Sequence, residues 1–338
     1  MILETKAKEL LGALHHLSRI SRIGDVKGLL LECDNAANLY TYSNDIYGKV
    51  IIDGKIEETG SQLLPLIVIP YLSKLGDASI RLKIDTDNIT IYHDKSEINL
   101  NQMSGDKKHF SKREISPNWI GTDLARLKNI RYASTDAYGF DTFWINNQSI
   151  IATDRIRVVV YKPINIPENI NFAIPNFITS YLPDGIIDLS IGETIYLGSD
   201  KSNISITPKV DAAYPKQLDS LIEDDFNNCV SVNLQTLSRA VDVIAMMAKD
   251  NPGCRLELSD YLTLTSESSS GSAKQQINIF DSSNLSKPIN IKLSAFALKQ
   301  AVDNCLGPQV ILGNKQINDK FSLLYLFDYD ITHFIVPF

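Results

Sequence analysis

Few residues of this 338-residue chain have the types and spacing that catalysis or metal binding requires. The histidines are His15, His16, His93, His109 and His333. None of them stands at the His-x-x-x-His spacing of a helical zinc pair. Gly48-Lys49 and Gly54-Lys55 lack the glycine five residues earlier that a phosphate-binding loop needs, and no G-x-S-x-G turn occurs. We therefore predict that the chain is not an enzyme and needs no cofactor or metal.

The acidic and cysteine residues also lack a catalytic pattern. Asp224-Asp225 lies in a polar stretch, which favours a solvated turn over an acid–base dyad. The four cysteines are Cys33, Cys229, Cys254 and Cys305. Their spacing indicates neither a disulfide framework nor a zinc site, as is typical of reduced intracellular proteins. Because no signal peptide or long apolar run is visible, we expect a cytoplasmic protein without membrane contact.

The composition is that of an ordinary globular protein, with 44% hydrophobic and 22% charged residues. The net charge of −7 argues against binding nucleic acid over the whole surface. It is compatible with a protein that concentrates positive charge on a single face. The distribution of basic residues along the chain is therefore the informative quantity.

The sequence pattern repeats three times. Each copy contains a hairpin, with two short apolar or alternating runs around an Asn- or Asp-bearing turn, at residues 28–45, 142–154 and 255–266. A short helix follows each hairpin, with Pro70 or Pro175 in its first turn or Ser294 as its N-cap. Strands with a period of two come next.

Each repeat also opens with a helix, predicted from apolar residues three and four positions apart. The three apolar stripes are Leu10, Leu14, Leu17 and Ile20; Ile120, Leu124, Leu127 and Ile130; and Leu234, Leu237, Val241, Ile244 and Ala248. This pattern predicts an α+β fold of three domains, residues 1–113, 114–224 and 225–338. Each domain would place two helices on one face of antiparallel sheets.

Four segments resemble the bacterial β sliding clamp, the processivity subunit of DNA polymerase III. Residues 150–158 (IIATDRIRV) resemble the family's ATDGHRLAV segment, and residues 210–215 (VDAAYP) resemble its VDGRFP run. Ile69-Pro70 resembles the VP of the first short helix, and residues 334–338 (FIVPF) resemble the VVMPM ending. Arg155-Ile156 replaces the Gly-His of the family motif. The resemblance covers the whole chain and implies a homodimeric ring of six domains around double-stranded DNA.

A sliding ring must attract phosphates without gripping bases, because binding through counterion release is independent of sequence. The predicted helices are residues 3–22, 70–76, 117–134, 175–183, 231–250 and 294–305. They carry eleven basic and six acidic residues, although the chain as a whole is acidic. The preferred phosphate contacts are Arg19, Arg22, Lys74, Arg126, Lys128, Arg131 and Arg239. Simple solvation of exposed helix faces is the alternative explanation.

The resemblance also implies two protein interfaces. Strands near Ile98 and Leu100 in domain one would pair with strands near Ile277 and Ile279 in the partner's domain three, although an ordinary sheet interior is the alternative. A groove for short peptides of the polymerase and clamp loader would lie between domains two and three. Its residues would be Thr153, Arg155, Ile156, Arg157, Val158, Ile222, Ile335, Val336, Pro337 and Phe338. The apolar C-terminal tail either lines this groove or packs as a final strand.

Two other functions remain open from the sequence. The first is a protein-interaction scaffold that has the clamp fold but does not encircle DNA. The second is an enzyme whose site has no recognisable nucleophile and base. The charge of the helices separates the first from a clamp, and the solution mass separates a dimeric ring from both.

Overall fold

The structure, a computed structural model, describes residues 1–21, 28–43, 46–101, 120–122, 126–134, 141–146, 148–163, 166, 171–180, 187–191, 195–199, 202–206, 214–222, 228–318 and 321–337. They divide into two compact units. The first unit is Met1–Ala125 with Phe177–Pro208, and the second is Arg126–Asn176 with Lys209–Phe338. Among all the described residues, no helix has both the length and the hydropathy to cross a bilayer.

Strands dominate the described residues. In chain order they are β1 (Ile2–Lys6), β2 (Gly28–Cys33), β3 (Ala37–Ser43), β4 (Ile46–Ile52), β5 (Gly54–Glu58), β6 (Gly60–Pro65), β7 (Ser79–Ile84), β8 (Asn88–His93), β9 (Ser96–Asn101), β10 (Ile120–Thr122), β11 (Thr142–Asn146), β12 (Ser149–Thr153), β13 (Arg157–Tyr161), β14 (Asn171–Pro175), β15 (Ile187–Ile191), β16 (Ile195–Ser199), β17 (Ser202–Ile206), β18 (Cys229–Asn233), β19 (Gly253–Leu258), β20 (Tyr261–Ser268), β21 (Gly271–Asp281), β22 (Ile289–Ser294), β23 (Gln309–Asn318), β24 (Phe321–Asp328) and β25 (Ile331–Ile335). The α-helices are α1 (Ala7–Ser21), α2 (Ile69–Leu75), α3 (Leu127–Ile130), α4 (Asp219–Ile222), α5 (Leu234–Met247) and α6 (Ala295–Asp303). Short 3-10 turns are Leu66–Val68, Arg131–Ala133, Asn176–Ser180 and Lys216–Leu218.

The strand pairings repeat three times, and all of them are antiparallel. A first meander is β2-β3-β4, β11-β12-β13 or β19-β20-β21, and a fourth strand (β6, β14 or β22) returns to pair with its first strand. A second meander is β7-β8-β9, β15-β16-β17 or β23-β24-β25. Its first strand pairs with an opening strand, β1, β10 or β18. The predicted α+β fold with antiparallel sheets and its three hairpins are therefore confirmed.

The third strands of the two kinds of meander pair with each other at two junctions. In the first unit β4 pairs with β17, from Ile46 opposite Ile206 to Val50 opposite Ser202. In the second unit β13 pairs with β25, from Arg157 opposite Ile335 to Tyr161 opposite Ile331. The third strands that remain are β9 and β21. Among the described strands, β9 pairs with β8 alone, and Gly271–Asn278 of β21 pairs with β20 alone.

The first and third opening helices form as their apolar stripes predict. Leu10, Leu14 and Leu17 of α1 are fully buried, as are Leu237 and Ile244 of α5. Removing such a side chain down to alanine costs about 2–5 kcal/mol, because it leaves a cavity as well as losing apolar burial.

The second opening helix is shorter than predicted, and part of it is a strand. Ile120–Thr122 pairs with Ile187–Leu189, and only Leu127–Ile130 is α-helical. Gly121 and Thr122 are poor helix formers, and their backbone groups bond to β15 instead. Residues 123–125 lie outside the described residues, so Leu124 of the predicted stripe is not placed.

Other helix boundaries also differ from the prediction. The helix predicted from residue 3 begins at Ala7, because Ile2–Lys6 pairs with both β5 and β7. The helix predicted at 175–183 is a 3-10 turn, Asn176–Ser180, in its described part. The helix predicted from residue 231 begins after Asn233, whose Oδ1 accepts a hydrogen bond from the Thr236 N–H at 2.9 Å.

Candidate partner-binding site

The loop between β12 and β13 is held by its own side chains. Thr153 Oγ1 accepts a hydrogen bond from the Arg155 N–H at 3.2 Å and donates one to the Arg157 carbonyl at 2.7 Å. Asp154 Oδ1 accepts hydrogen bonds from the N–H groups of Ile156 at 3.0 Å and Arg157 at 2.8 Å. Because Thr153 and Asp154 are buried, water competes little for these bonds, and the loop backbone is fixed.

Two side chains of this loop project to the surface. Arg155 has a φ of +75°, in the left-handed region that residues with a Cβ rarely adopt. Ile156 is 52% exposed, which is unusual for an isoleucine in a fixed loop. The loop therefore presents a cationic and an apolar side chain next to each other on a rigid backbone.

Arg157 connects this loop to the rest of the second unit. Its Nε donates a hydrogen bond to Asp154 Oδ2 at 2.8 Å, its Nη2 also contacts Asp154, and its Nη1 contacts Gln300 of α6. The guanidinium Cζ lies 5.2 Å from the centroid of the Tyr132 ring. The guanidinium has hydrogen bonds on both edges and an aromatic ring against its face, so its conformational freedom is small. Arg157 therefore positions the loop against α6.

A buried histidine completes this network. His333 Nδ1 and the Tyr132 hydroxyl share a hydrogen bond of 2.6 Å. His333 is fully buried, and desolvation lowers its pKa to about 3, so the imidazole is neutral at physiological pH. The Nε2 atom has no hydrogen-bond partner within the described residues. The network beneath the loop is therefore a structural one in which protonation is unfavourable.

The C-terminal tail both packs as a strand and reaches this loop. All of β25, Ile331–Ile335, is buried between β13 and β24. Val336 donates its N–H to the Ile156 carbonyl at 2.9 Å, and Val336 and Pro337 are half-buried. Of the predicted groove residues, Thr153, Val158 and Ile335 are thus covered, whereas Arg155, Ile156, Val336 and Pro337 are accessible. Phe338 and the Ile222 side chain lie outside the described residues.

The predicted phosphate contacts have different surroundings. Lys74, Lys128, Arg131 and Arg239 have exposed side chains. Arg126 is half-buried, forms an ion pair with Asp330, and has its guanidinium 5.6 Å from the Tyr329 ring centroid. The Arg19 side chain and Arg22 lie outside the described residues.

A second basic residue from the predicted helices is also paired. Lys299 contacts Asp242, and its Nζ lies 3.1 Å from Asp303. Asp242 and Asp303 are among the six acidic residues of the predicted helices, so this pairing leaves their net charge unchanged. Asp330 lies outside those helices, so its ion pair with Arg126 lowers their uncompensated positive charge.

The residues predicted to close a ring also differ from one another. Ile98 and Leu100 are half-buried on β9, an edge strand of its sheet. Ile277 is buried in the core of its own subunit, and the Ile279 backbone pairs with Val232 of β18. The open edge of β21 therefore extends over Gly271–Asn278, which includes Ile277 but not Ile279.

Comparison with known proteins identifies the fold. The sequence matches no protein-family model and no curated protein. Several solved structures match over the whole chain. The DNA polymerase III subunit beta from Pseudomonas aeruginosa has a TM-score of 0.79, 15% identity and 100% coverage of both chains. A putative DNA polymerase III beta subunit from Eubacterium rectale has a TM-score of 0.78, 18% identity and coverage of 100% of this chain and 99% of that one.

A third structure adds information about ligands of such proteins. The Helicobacter pylori beta clamp bound to a DNA ligase peptide has a TM-score of 0.79, 15% identity and 100% coverage of both chains. At these identities the comparison concerns the fold. The chain therefore has the fold of DNA polymerase III beta sliding clamps from end to end, with a strongly divergent sequence.

Proposed function

We propose that this chain, which shares its fold with bacterial DNA polymerase III beta subunits, is a non-catalytic DNA sliding clamp. Two copies would form a ring around duplex DNA and tether a polymerase and other DNA enzymes to it. The three predicted domains, 1–113, 114–224 and 225–338, would each contribute one third of a subunit. The observation that carries the proposal concerns β9 and β21. They are the third strands that take no part in the two junctions, and each has an open edge among the described strands.

The two junctions provide a rule for closing the ring. In each, a third strand of a first meander pairs with a third strand of a second meander. Applied to the remaining strands, the rule pairs β21 of one subunit with β9 of the other. Such a head-to-tail contact joins unlike surfaces, and two of them close a ring of two chains when the rotation allows it.

The register of this contact follows from the same junctions. The residues that directly follow the hairpin turns pair with each other in both cases, Ile46–Val50 with Ser202–Ile206 and Arg157–Tyr161 with Ile331–Ile335. By analogy Gly271–Gln275 pairs with Ser96–Leu100, to within one residue. This register places Lys274 within one residue of the partner subunit's Glu97, and opposite charges across a strand pair stabilise it.

Exposed basic side chains on helices support the contact with DNA. Lys74 of α2, Lys128 of α3 and Arg239 of α5 are exposed, and Arg131 is exposed in the turn after α3. Lysine and arginine on helices neutralise phosphates without reading bases, which is the kind of binding that permits sliding.

The accessible part of the candidate site supports partner binding. Ile156, Val336 and Pro337 form an apolar surface at the end of a fixed loop. The Helicobacter pylori beta clamp, whose fold is similar, binds a DNA ligase peptide. Short extended peptides bind such surfaces through apolar pockets and a few backbone hydrogen bonds. We expect peptide segments of the polymerase and clamp loader to bind here.

Charge reversal combined with a mass measurement tests ring closure. By sedimentation the wild type should have twice the mass of the 37.7 kDa chain. Lys274→Glu or Glu97→Lys should each lower dimer affinity about tenfold, because like charges then face each other, and the double variant should recover. Lys287→Glu, an exposed site in the second unit, should leave the dimer unchanged. A wild-type monomer at micromolar concentration would exclude the ring.

A scaffold that does not encircle DNA is the second candidate. It is favoured by the pairing of Arg126 with Asp330, which compensates a positive charge of the helices with an acidic residue outside them. Replacing Lys128 and Arg131 together with alanine should reduce retention on circular DNA if the chain is a clamp. Unchanged retention would favour the scaffold.

A further inference from the structure

We infer that the proposed ring opens and closes spontaneously where β9 of one subunit meets β21 of the other. Its subunits then exchange in solution and assemble around a closed DNA circle without nucleotide hydrolysis. This inference rests on the proposed pairing of β9 with β21. The evidence is the residue types that the two strands bring to this contact, compared with those at the two junctions within the chain.

The junctions within the chain are rich in large apolar side chains. Where β13 pairs with β25, seven of the ten paired residues are Val, Ile, Phe or Tyr. Val158 and Phe334 are opposite each other there and lie in one buried cluster, so the core continues across the junction. Where β4 pairs with β17, five of the ten paired residues are of these types. Apolar burial therefore stabilises both junctions.

The proposed contact between subunits has far fewer such side chains. Among residues 96–100 and 271–275, the two large apolar residues are Ile98 and Leu100, and both lie on β9. The stretch of β21 is Gly-Ser-Ala-Lys-Gln. The contact thus resembles the two junctions in its pairing of strands but has little of their apolar burial.

The deficit lies on the side of β21 that faces the protein interior. Ile98 is opposite the buried Ile91 of β8, so it points toward the interior of its own subunit. On β21, Gln275 is opposite the buried Leu264, and Ala273 lies two residues earlier on the same side of the strand. A glutamine and an alanine would therefore meet the apolar side of β9, where a continuous core needs large apolar side chains.

The remaining interactions at the contact stabilise it weakly. They are the backbone hydrogen bonds of a short strand pair and the proposed ion pair between Lys274 and the partner's Glu97. Exposed ion pairs contribute little, and salt screens them. Because affinity differences between related complexes lie mainly in the dissociation rate, a weak contact opens often. Subunits released in this way can close again around DNA that has no ends.

Subunit exchange measures the contact directly. Unlabelled and isotope-labelled full-length protein would be mixed at micromolar concentration, and native mass spectrometry would follow the mixed dimer. Gln275→Leu places an apolar side chain on the interior side of the contact. The matched control is Gln276→Leu, which makes the same change one residue later, on the opposite and exposed side of the strand.

We expect mixed dimers within minutes for the wild type and for Gln276→Leu. Gln275→Leu should exchange about tenfold more slowly, because a leucine buried against the partner strengthens both contacts of the ring. Ala273→Val, on the same side of the strand, should slow exchange in the same direction. Without nucleotide or any other protein, the wild type should load onto a closed circular duplex and Gln275→Leu should load more slowly.

Wild-type dimers that remain unmixed after a day would overturn the inference while leaving the ring intact. The same holds if both Gln275→Leu and Ala273→Val exchange as fast as Gln276→Leu. A wild type that is monomeric at this concentration would overturn the pairing of β9 with β21, and this inference with it. Exchange without retention on the circle would overturn assembly around DNA together with the proposed clamp function.

Discussion

Arg157 shows how single residues determine the candidate site. Its guanidinium joins Asp154, Gln300 and the face of Tyr132, and thereby fixes a loop whose exposed residues are its neighbours. These three groups are held by one side chain with a planar fork, which lysine does not have. The site is therefore pre-organised, and a peptide that binds it pays little conformational entropy in the protein.

His333 makes the stability of the second unit sensitive to acid. Burial lowers its pKa from 6.5 to about 3, so below pH 6.5 the unfolded chain takes up a proton that the folded chain does not. Stability is therefore lost as pH falls through this range. Between about pH 7.5 and pH 5.5 the wild type should lose about 1.4 kcal/mol more than His333→Gln, as measured by urea unfolding.

Tyr132→Phe is the matched control for this measurement. It removes the hydroxyl that His333 bonds but keeps the imidazole buried, so it should be less stable at every pH with the pH dependence of the wild type. If His333→Gln showed the same pH dependence as the wild type, His333 would not be the titrating group.

At the scale of elements, the N-cap of α5 is a local interaction whose contribution to stability can be measured by itself. Asn233 Oδ1 accepts the Thr236 N–H, which would otherwise be unpaired in the first turn. Asn233→Ala should lower the free energy of unfolding by about 1 kcal/mol, and Asn233→Ser should restore most of it. Chemical denaturation measures both, and equal stability of Ala and Ser variants would contradict the cap.

The exposed Arg239 and the ion-paired Arg126 give different predictions. Arg239→Ala should weaken binding to duplex DNA and lower the slope of log K against log salt by about one, because one phosphate contact is lost. Arg126→Ala should mainly destabilise the fold, because it removes the ion pair with Asp330. Salt titrations of both variants measure this. A larger slope change for Arg126→Ala would reverse the assignment.

Elements with strong local signals could be predicted from the sequence, and those set by distant partners could not. The three hairpins and the helices α1 and α5 follow from apolar spacing and turn residues. The strand at Ile120–Thr122 could not be predicted, because its partner Ile187–Leu189 lies more than sixty residues later. The apolar residues of this strand continue the helical spacing of α3, so periodicity alone predicts one continuous helix over both segments.

The loop of the candidate site could be predicted from the sequence, but the residues packed beneath the loop could not. Residues 150–158 resemble a segment of the clamp family, and this resemblance predicts Thr153, Arg155, Ile156 and Arg157 as site residues. Tyr132 and His333 are 201 residues apart in sequence, and no local pattern connects them. Asp330, the partner of Arg126, was missed for the same reason, so the charge of the helices was overestimated.

At the scale of the whole molecule, one repeated pairing rule accounts for most of the architecture. Among the described strands it is satisfied twice and leaves one edge of each kind open, and we propose that a second copy pairs with both. All four native cysteines are buried, so introduced cysteines can report this contact without interference. The proposed register would pair Ile98 of one subunit with Ala273 or Ser272 of the other.

The most direct test is topological. Ile98→Cys combined with Ala273→Cys or Ser272→Cys would be incubated with circular duplex DNA, oxidised, and washed with detergent and high salt. We expect a cross-linked dimer that stays on the circle and is released when the DNA is cut once, whereas either single variant washes off. A cross-linked dimer that washes off the intact circle, or no cross-link in either pair, would contradict a ring around DNA.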